Sequence, residues 1–397
     1  MRRVELAARK KWQKRCADAG FTFYDLPSEN GDPYWRETAA YELTLHDVET
    51  IETATNELFM RCMDAVEHVV ANRRFAEFGI PEQFWAEIIR SWNDDDPTVY
   101  GRFDFVYDGK MPPKLFEFNA DTPTSLLEAS IVQWWWMREV KGKQADQFNS
   151  IHEALVEQWR HIREKRLAGE TKDQLVLASL HSGAEGEFLA EDYDLVQYMT
   201  TVAEEAGFKT RQIFIEQIAW DDTKKQFVDA NNLPITTIFK LYPWEWMVHE
   251  DYGPKLLEAS AHTRWIEPIW KMLLSNKQLL VVLWELFPGH PNLLETYTQP
   301  NKLRGRSYVK KPKLSREGAN VTIFSASGNV IESVGGDYGE EGYVYQAYQE
   351  LPVFYKWRPV IGSWVVGQDA VGVGIRETST HITGDMAFFV PHYIANP

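Results

Sequence analysis

Leu115-Phe116-Glu117-Phe118-Asn119-Ala120-Asp121-Thr122-Pro123-Thr124-Ser125-Leu126-Leu127-Glu128 is the stretch whose reading decides the fold. Glu117 and Asn119 are two residues apart, so on a strand they point to one face. Asp121 adds a carboxylate where that strand ends. Thr122-Pro123 then reads as a helix start, with Thr122 as N-cap and Pro123 in the first helical position. Hard oxygen donors beside a helix N-terminus suit a hard cation next to an anion. Just upstream, Gly101-Arg102-Phe103-Asp104-Phe105-Val106-Tyr107 alternates polar and aromatic residues as a strand does, and Asp108-Gly109-Lys110-Met111-Pro112-Pro113 reads as a turn. If the two runs pair so that Asp104 lies opposite Glu117, Arg102 falls opposite Asn119 and all four side chains share one face. That is a Mg²⁺–phosphate site in outline. For Asp104 and Glu117 alone, a solvated charge pair on an outer face is an equal reading, and the helix start favours the site.

The rest of the chain limits the function classes. Its 397 residues can bury a large core, and 16 Trp, 17 Tyr and 21 Phe argue for a folded, enzyme-like body. A formal net charge of −16 argues against nucleic acid as partner, since phosphate backbones need a basic footprint. It is compatible with a cationic substrate such as a polyamine, although moderate acidity is also ordinary solubility charge. Cys16 and Cys62 have no metal-ligand spacing and imply a reducing compartment. Met1-Arg2-Arg3 precedes a charged segment rather than a signal-peptide core, and no apolar run approaches the ~18 residues a membrane helix needs. A soluble, cytoplasmic protein is expected.

Residues 1–92 read as a helical region, with helices over 4–19, 44–73 and 81–92 and a breaker at Asn93-Asp94-Asp95-Asp96-Pro97. Residues 93–264 read as the metal- and substrate-binding α/β portion. After the hairpin come helices over 123–140 and 144–169. A strand at 174–180, a helix at 193–206 and strands at 210–218 and 235–241 follow the grammar of an open α/β sheet, whose ligands bind at the carboxyl ends of strands. Residues 265–397 read as a helix from 265, an apolar strand at 279–286, a strand ending at Lys311, and a hairpin over 321–333 closed by Ala326-Ser327-Gly328-Asn329. Strands at 343–350, 360–366 and 370–376 complete an antiparallel, nucleotide-clamping portion.

Several chemistries lack their residues. No GxxxxGK[ST], HExxH, CxxC or GxSxG occurs, so a P-loop, zinc chemistry and an activated nucleophile have no sequence support. What remains is a set of cations from separate segments: Lys277 after Ser275-Asn276, Lys311 before a loop carrying Arg316 and Gly318, and Arg376 before Glu377. Each alone reads more readily as a surface salt bridge. Together with the acids of the first hairpin they match a nucleotide clamped between two sheets.

Taken in order, Phe116-Glu117-Phe118-Asn119-Ala120-Asp121-Thr122-Pro123, Phe239-Lys240-Leu241-Tyr242-Pro243-Trp244-Glu245, Ser275-Asn276-Lys277, Lys311-Pro312 with Arg316-Glu317-Gly318-Ala319-Asn320-Val321, and Gly374-Ile375-Arg376-Glu377 resemble the successive blocks of the glutathionylspermidine synthase family. The resemblance covers roughly residues 100–392 and implies an ATP-grasp acid–amine ligase, in which ATP phosphorylates a carboxylate and an amine displaces the phosphate. It implies that Asp104, Glu117 and Asn119 bind Mg²⁺ and that Arg102 and Arg376 are the catalytic cations. Lys277 and Lys311 would contact ATP phosphates under a lid loop carrying Arg316 and Gly318, with adenine held by backbone groups of the segment containing Gln346, Ala347 and Tyr348. Thr122, Thr124 and Ser125 fall where the family binds glutathione, and Glu191 and Asp192 are candidates for the amine pocket. The acid is therefore expected to be glutathione or a related peptide, and the amine a polyamine or another amine. The sequence departs from the family in having no room for the N-terminal amidase domain of its bifunctional members, and no Lys or Arg follows Arg376. The rival readings are a kinase using the same clamp and a catalytically silent nucleotide-binding protein.

Overall fold

The computed structural model describes residues 1–397 except 29–30, 168, 170, 184–185 and 396–397. The hairpin forms in the expected register. Tyr100–Val106 pairs antiparallel with Lys114–Asn119, setting Arg102 opposite Asn119 and Asp104 opposite Glu117. Alternation divides its faces: Phe103 stacks on Phe118 with centroids 3.8 Å apart on the core side, which leaves the polar residues to the other.

Tyr100–Val106 is also the point where distant parts of the chain meet. The hairpin is one edge of a five-stranded antiparallel sheet that continues through Arg358–Val366 and Asp369–Thr378 to Phe388–Val390. A second five-stranded antiparallel sheet, the lid sheet, runs in the order Thr296–Tyr297, Tyr343–Ala347, Tyr308–Pro312, Thr322–Phe324, Val330–Ser333. The expected central α/β sheet is present as four parallel strands, Arg264–Ile266, Thr237–Leu241, Gln174–Ser179 and Lys209–Phe214. A small sheet joins Arg2–Glu5 and Ala39–Leu43 to His392–Ile394 near the other end of the chain.

The helix Leu45–Ala71 starts where a capping box dictates, Thr44 and Asp47 satisfying each other's backbone N–H groups. It buries one apolar face, including Ile51, Leu58, Val66 and Val69, and its Thr55 hydroxyl lies 2.7 Å from that of Ser363 in the first sheet. Among the described residues no helix is long and apolar enough to cross a membrane. Cys16 and Cys62 are buried thiols without a partner cysteine.

Five local expectations are corrected. The segment 4–19 is not one helix: Arg2–Glu5 is a strand and only Trp12–Asp18 is helical, so the region 1–92 carries strands as well as helices. The helix expected over 144–169 is confined to Ile151–His161 and a π-turn at Ile162–Arg166. Trp265 lies in a strand, not at a helix start. The apolar run at 279–286 belongs to a helix, Gln278–Leu286, whose residues 278–283 are all buried. With both faces covered, hydrophobic periodicity carries no signal there. Finally, Thr122 is not an N-cap. Asp121 turns instead to accept hydrogen bonds from Lys240 Nζ (2.6 Å) and the Trp244 amide (2.8 Å), and Ser125 adopts a left-handed φ of 62°. Helical structure begins only at residue 126 and passes through a π-turn, Glu128–Val132, into Gln133–Val140.

Candidate active site

The polar face of the hairpin forms the floor of an open cleft of about 1420 Å³ between the first sheet and the lid sheet. Arg102, Asp104, Glu117, Asn119, Thr122, Thr124, Lys277, Lys311, Arg316, Gly318, Gln346, Ala347, Tyr348 and Arg376 all line it. Three further candidates sit behind this wall. Ser125 supports Arg102 through its hydroxyl at 3.3 Å, and Glu191 and Asp192 occupy the first turn of the helix Ala190–Glu205.

The centre is built around Asp104. Arg102 grips it with two hydrogen bonds, Nε to Oδ1 at 2.7 Å and Nη2 to Oδ2 at 3.1 Å, while Arg376 Nη2 donates to Oδ2 at 2.8 Å. Arg376 comes from a strand far along the chain, 272 residues beyond Asp104, and the two arginines meet on this one carboxylate. Gly362, paired with Asp104 across the sheet, makes this possible. A Cβ there would lie 2.8 Å from Arg102 Cδ. Arg102 Nη1 also donates to the Thr124 carbonyl at 2.6 Å, tying the hairpin to the turn that follows it.

Next along the strand, Asn119 Nδ2 donates to Asp104 Oδ2 (3.3 Å) and Glu117 Oε1 (3.2 Å), so two carboxylates bracket one amide. Lys277 Nζ lies 3.1 Å from Glu117 Oε2 and also donates to the Ser315 carbonyl at 2.9 Å. Lys311 donates to the Gln346 side-chain oxygen (2.7 Å) and the Phe116 carbonyl (3.1 Å). Burial works to raise the Glu117 carboxyl, but Lys277 and Lys311 overcome it and hold the group at about 2. Burial brings Lys311 down to about 8, with Glu117 pulling the other way.

Among the described residues no three His, Cys, Asp or Glu side chains group as a metal cluster. What the chain offers is two carboxylates and an amide. That set fits Mg²⁺, which takes one or two carboxylates and fills its octahedron with water and substrate phosphate oxygens.

The expected lid loop closes over one end of the cleft. Arg316 Nη2 donates to Thr122 Oγ1 at 2.7 Å, and its guanidinium lies over the Trp246 ring at 5.0 Å. Gly318, at φ +69°, packs against Ile382, where a Cβ would come within 2.6 Å of Cγ2. At the opposite wall the Gln346 side chain is occupied by Lys311 and the Leu115 carbonyl. The N–H groups of Ala347 and Tyr348 donate to the Glu295 and Ser307 carbonyls.

Some residues that shape the site carry no local signal. Asp121, Lys240 and the Trp244 amide join the hairpin to the end of the parallel strand Thr237–Leu241. The sequence hint is a lysine alone among Ile238, Phe239 and Leu241. Glu128, buried behind Arg102 and Arg376, accepts a hydrogen bond from Tyr34 at 2.7 Å, and burial pushes it up to about 7. Burial, reinforced by Glu128, Asp192 and Glu317, pushes Glu191 up to about 8, and Thr124 hydrogen-bonds it. Burial carries Asp192 to about 6 against the opposing charge of Arg316. One end of the site is thus basic and ionised, while the end beyond Arg102 gathers carboxyls that titrate near neutrality.

The chain is similar to known proteins along nearly its whole length. Residues 3–395 match the family model described as "Glutathionylspermidine synthase preATP-grasp". A Haemophilus influenzae protein described as "Putative acid--amine ligase" is 42% identical over 388 residues, 96% of each chain. Trypanothione synthetase of Crithidia fasciculata is 29% identical over 81% of this chain and 51% of its own length. The bifunctional glutathionylspermidine synthetase/amidase of Escherichia coli is 25% identical over 81% of this chain and 53% of its own, so the chain spans about half the length of these two relatives. Among solved structures, a glutathione synthetase-like effector from Globodera pallida superposes with a TM-score of 0.56 at 9% identity, covering 97% of this chain and 96% of that one, which supports a shared fold. The chain belongs to the glutathionylspermidine synthase family, a family of ATP-dependent acid–amine ligases with the ATP-grasp architecture.

Proposed function

We propose that this chain joins the carboxylate of a glutathione-like peptide to an amine, polyamine-like in character, with Mg²⁺–ATP as the activating substrate. The observation that carries the reading is the meeting of Arg102, Arg376 and Lys277 on Asp104 and Glu117 in one cleft. Phosphoryl transfer needs little covalent help from a protein. It needs positioning and cations set where charge develops. Lys277 and Lys311 hold the phosphates of ATP, and Asp104, Glu117 and Asn119 would hold Mg²⁺, which when bound would offset phosphate charge. Arg102 and Arg376 flank the phosphoryl group in transfer. A substrate carboxylate oxygen attacks the γ-phosphorus and ADP leaves. The amine nitrogen then attacks the acyl carbon, the C–O bond to phosphate breaks, and a proton leaves the nitrogen.

The peptide acid lies along Thr122, Thr124 and Ser125, and the amine lies toward Glu191 and Asp192. The carboxyls gathered there suit a cation better than they suit a second anion. The two buried thiols accord with a reducing, cytoplasmic setting.

The test is a panel of peptides against amines, followed by ADP release and mass spectrometry. The expected outcome is ADP, phosphate and an amide in equal amounts. A stable phosphorylated product without amide would establish the kinase alternative. ATP binding without ADP release for every pair would establish the silent one.

A further inference from the structure

The strand carrying Arg376 ends at Thr378, and the next few residues cross from the first sheet to the lid sheet. His381, Ile382 and Thr383 of this strap form part of the cleft wall, beside Tyr348 and Ile323. Ile382 joins Val309, Val321 and Ile323 in a small apolar cluster against which Tyr348 packs, and Tyr348 Oη lies 2.9 Å from His381 Nδ1.

One side chain outside the cleft holds the strap. The lid hairpin contains a bulge: Ile323 pairs with Glu332 but Phe324 pairs with Val330, leaving Ile331 as the extra residue. Directly paired residues share a face, so the bulge puts Glu332 on the same face as Ile323, toward the cleft, although it lies in the edge strand Val330–Ser333. Its two carboxylate oxygens accept from consecutive amides, His381 N–H and Ile382 N–H, each at 3.0 Å.

We propose that Glu332 is a positioning residue for the nucleotide: its carboxylate latches the edge of the lid sheet to the 381–383 strap and so fixes the width of the slot between Tyr348, Ile323 and Ile382. The proposal rests on the reading of this cleft as a nucleotide site. Glu332 is not among the residues that line the cleft, and its carboxylate bonds go to the strap amides rather than to the cations on Asp104 and Glu117. Its loss therefore loosens the hold on the nucleotide and leaves the chemistry in place. Two hydrogen bonds to a full negative charge on adjacent amides form a stronger tie than a neutral pair would make.

The test compares the full chain with Glu332→Ala and Glu332→Gln. MgADP affinity is measured by calorimetric titration, alongside KM for ATP, acid and amine and the ligand-free melting temperature. In Glu332→Ala the dissociation constant for MgADP and the KM for ATP are expected to rise about tenfold, while the acid and amine KM values hold and the melting temperature falls by only a few degrees. Glu332→Gln, which keeps one acceptor oxygen, falls between. An unchanged MgADP affinity in Glu332→Ala overturns the latch. So does a parallel rise of every KM with a larger fall in melting temperature, which would mark a general fold defect. Absence of MgADP binding in the unaltered chain overturns the nucleotide reading itself, a result distinct from either.

Discussion

Glu117→Gln tests the centre most directly, because it removes one charge and keeps the shape. Glu117 and Lys277 stand 3.1 Å apart, and at an effective dielectric of ~20 two full charges at that distance attract by about 5 kcal/mol before desolvation is counted. Glutamine loses that attraction and one anionic metal ligand together. It also changes Lys311, since Glu117 is the neighbour that keeps this buried ammonium charged, while burial and Lys277 work against it. The amine already titrates near 8 with Glu117 present, so without it the Lys311 value drops further and part of the phosphate-binding charge is lost at neutral pH. Two losses on the transferring phosphoryl group should lower kcat by at least ~10²–10³, the range seen for removal of one preorganised electrostatic contact. Gln at the same position can still accept from Lys277, so the fold is expected to survive. The assay is ADP release coupled to amide detection, with circular dichroism to confirm folding. Full turnover in folded Glu117→Gln would refute both the metal role and the claim that Lys311 depends on this carboxylate.

Other expectations follow from particular contacts. Arg376→Ala leaves Arg102 as the one arginine on Asp104, beside the Asn119 amide, and should abolish turnover in a protein that still melts cooperatively, with ADP release as the measure. Gly362→Ala places a methyl 2.8 Å from Arg102 Cδ and 3.3 Å from the Gly374 carbonyl. It should lower kcat by displacing the guanidinium, which a pre-steady-state measurement of acyl phosphate formation would report. Lys311 must be charged to hold phosphate, so kcat/KM for ATP should fall as pH rises past about 8, and Lys311→Arg should move that limb upward. Glu128 has a folded value raised to about 7, so the stability it contributes is complete below its ordinary 4.5 and is lost as pH rises through 7. Glu128→Gln should flatten the melting temperature across that window.

The parts of this fold visible in sequence were those fixed by neighbours. Period-two alternation and a Gly-Pro-rich turn specified the hairpin and its register. The Thr44–Asp47 capping box marked the start of the long helix, and Ala326-Ser327-Gly328-Asn329 marked the lid turn. Errors arose where tertiary partners overrode local preference. Thr122-Pro123 has the chemistry of a helix start, yet Asp121 is drawn to Lys240 and Trp244, and the chain completes a further turn before becoming helical. The run 279–283 is apolar throughout because the first turns of its helix are buried on every side, so composition could not separate helix from strand. Arg2–Glu5 shows no strand signature alone, since its partners are Ala39–Leu43 and, through it, residues 392–394.

The same division holds inside the site and explains why it could be only half derived. Asp104, Glu117, Asn119 and Arg102 occupy one hairpin, so alternation alone brings them together. Their charge state, however, is set by groups that no local pattern connects to them. Unaided burial would favour a protonated Glu117, a poor metal ligand. Lys277 and Lys311 reverse that: Lys277 follows the short helix Met272–Ser275, which packs on the strand Lys114–Asn119, and Lys311 reaches the Phe116 carbonyl from the lid sheet. Arg376 arrives on Asp104 because Arg358–Val366 is inserted between its strand and the hairpin, and Gly362 in that strand leaves room for Arg102. The acids are thus a property of local sequence, whereas their ionisation is a property of topology. A carboxylate pair on an isolated hairpin would be the solvated charge pair of the plainer reading; folding against the C-terminal third surrounds it with Lys277, Lys311 and Arg376 and keeps it ionised.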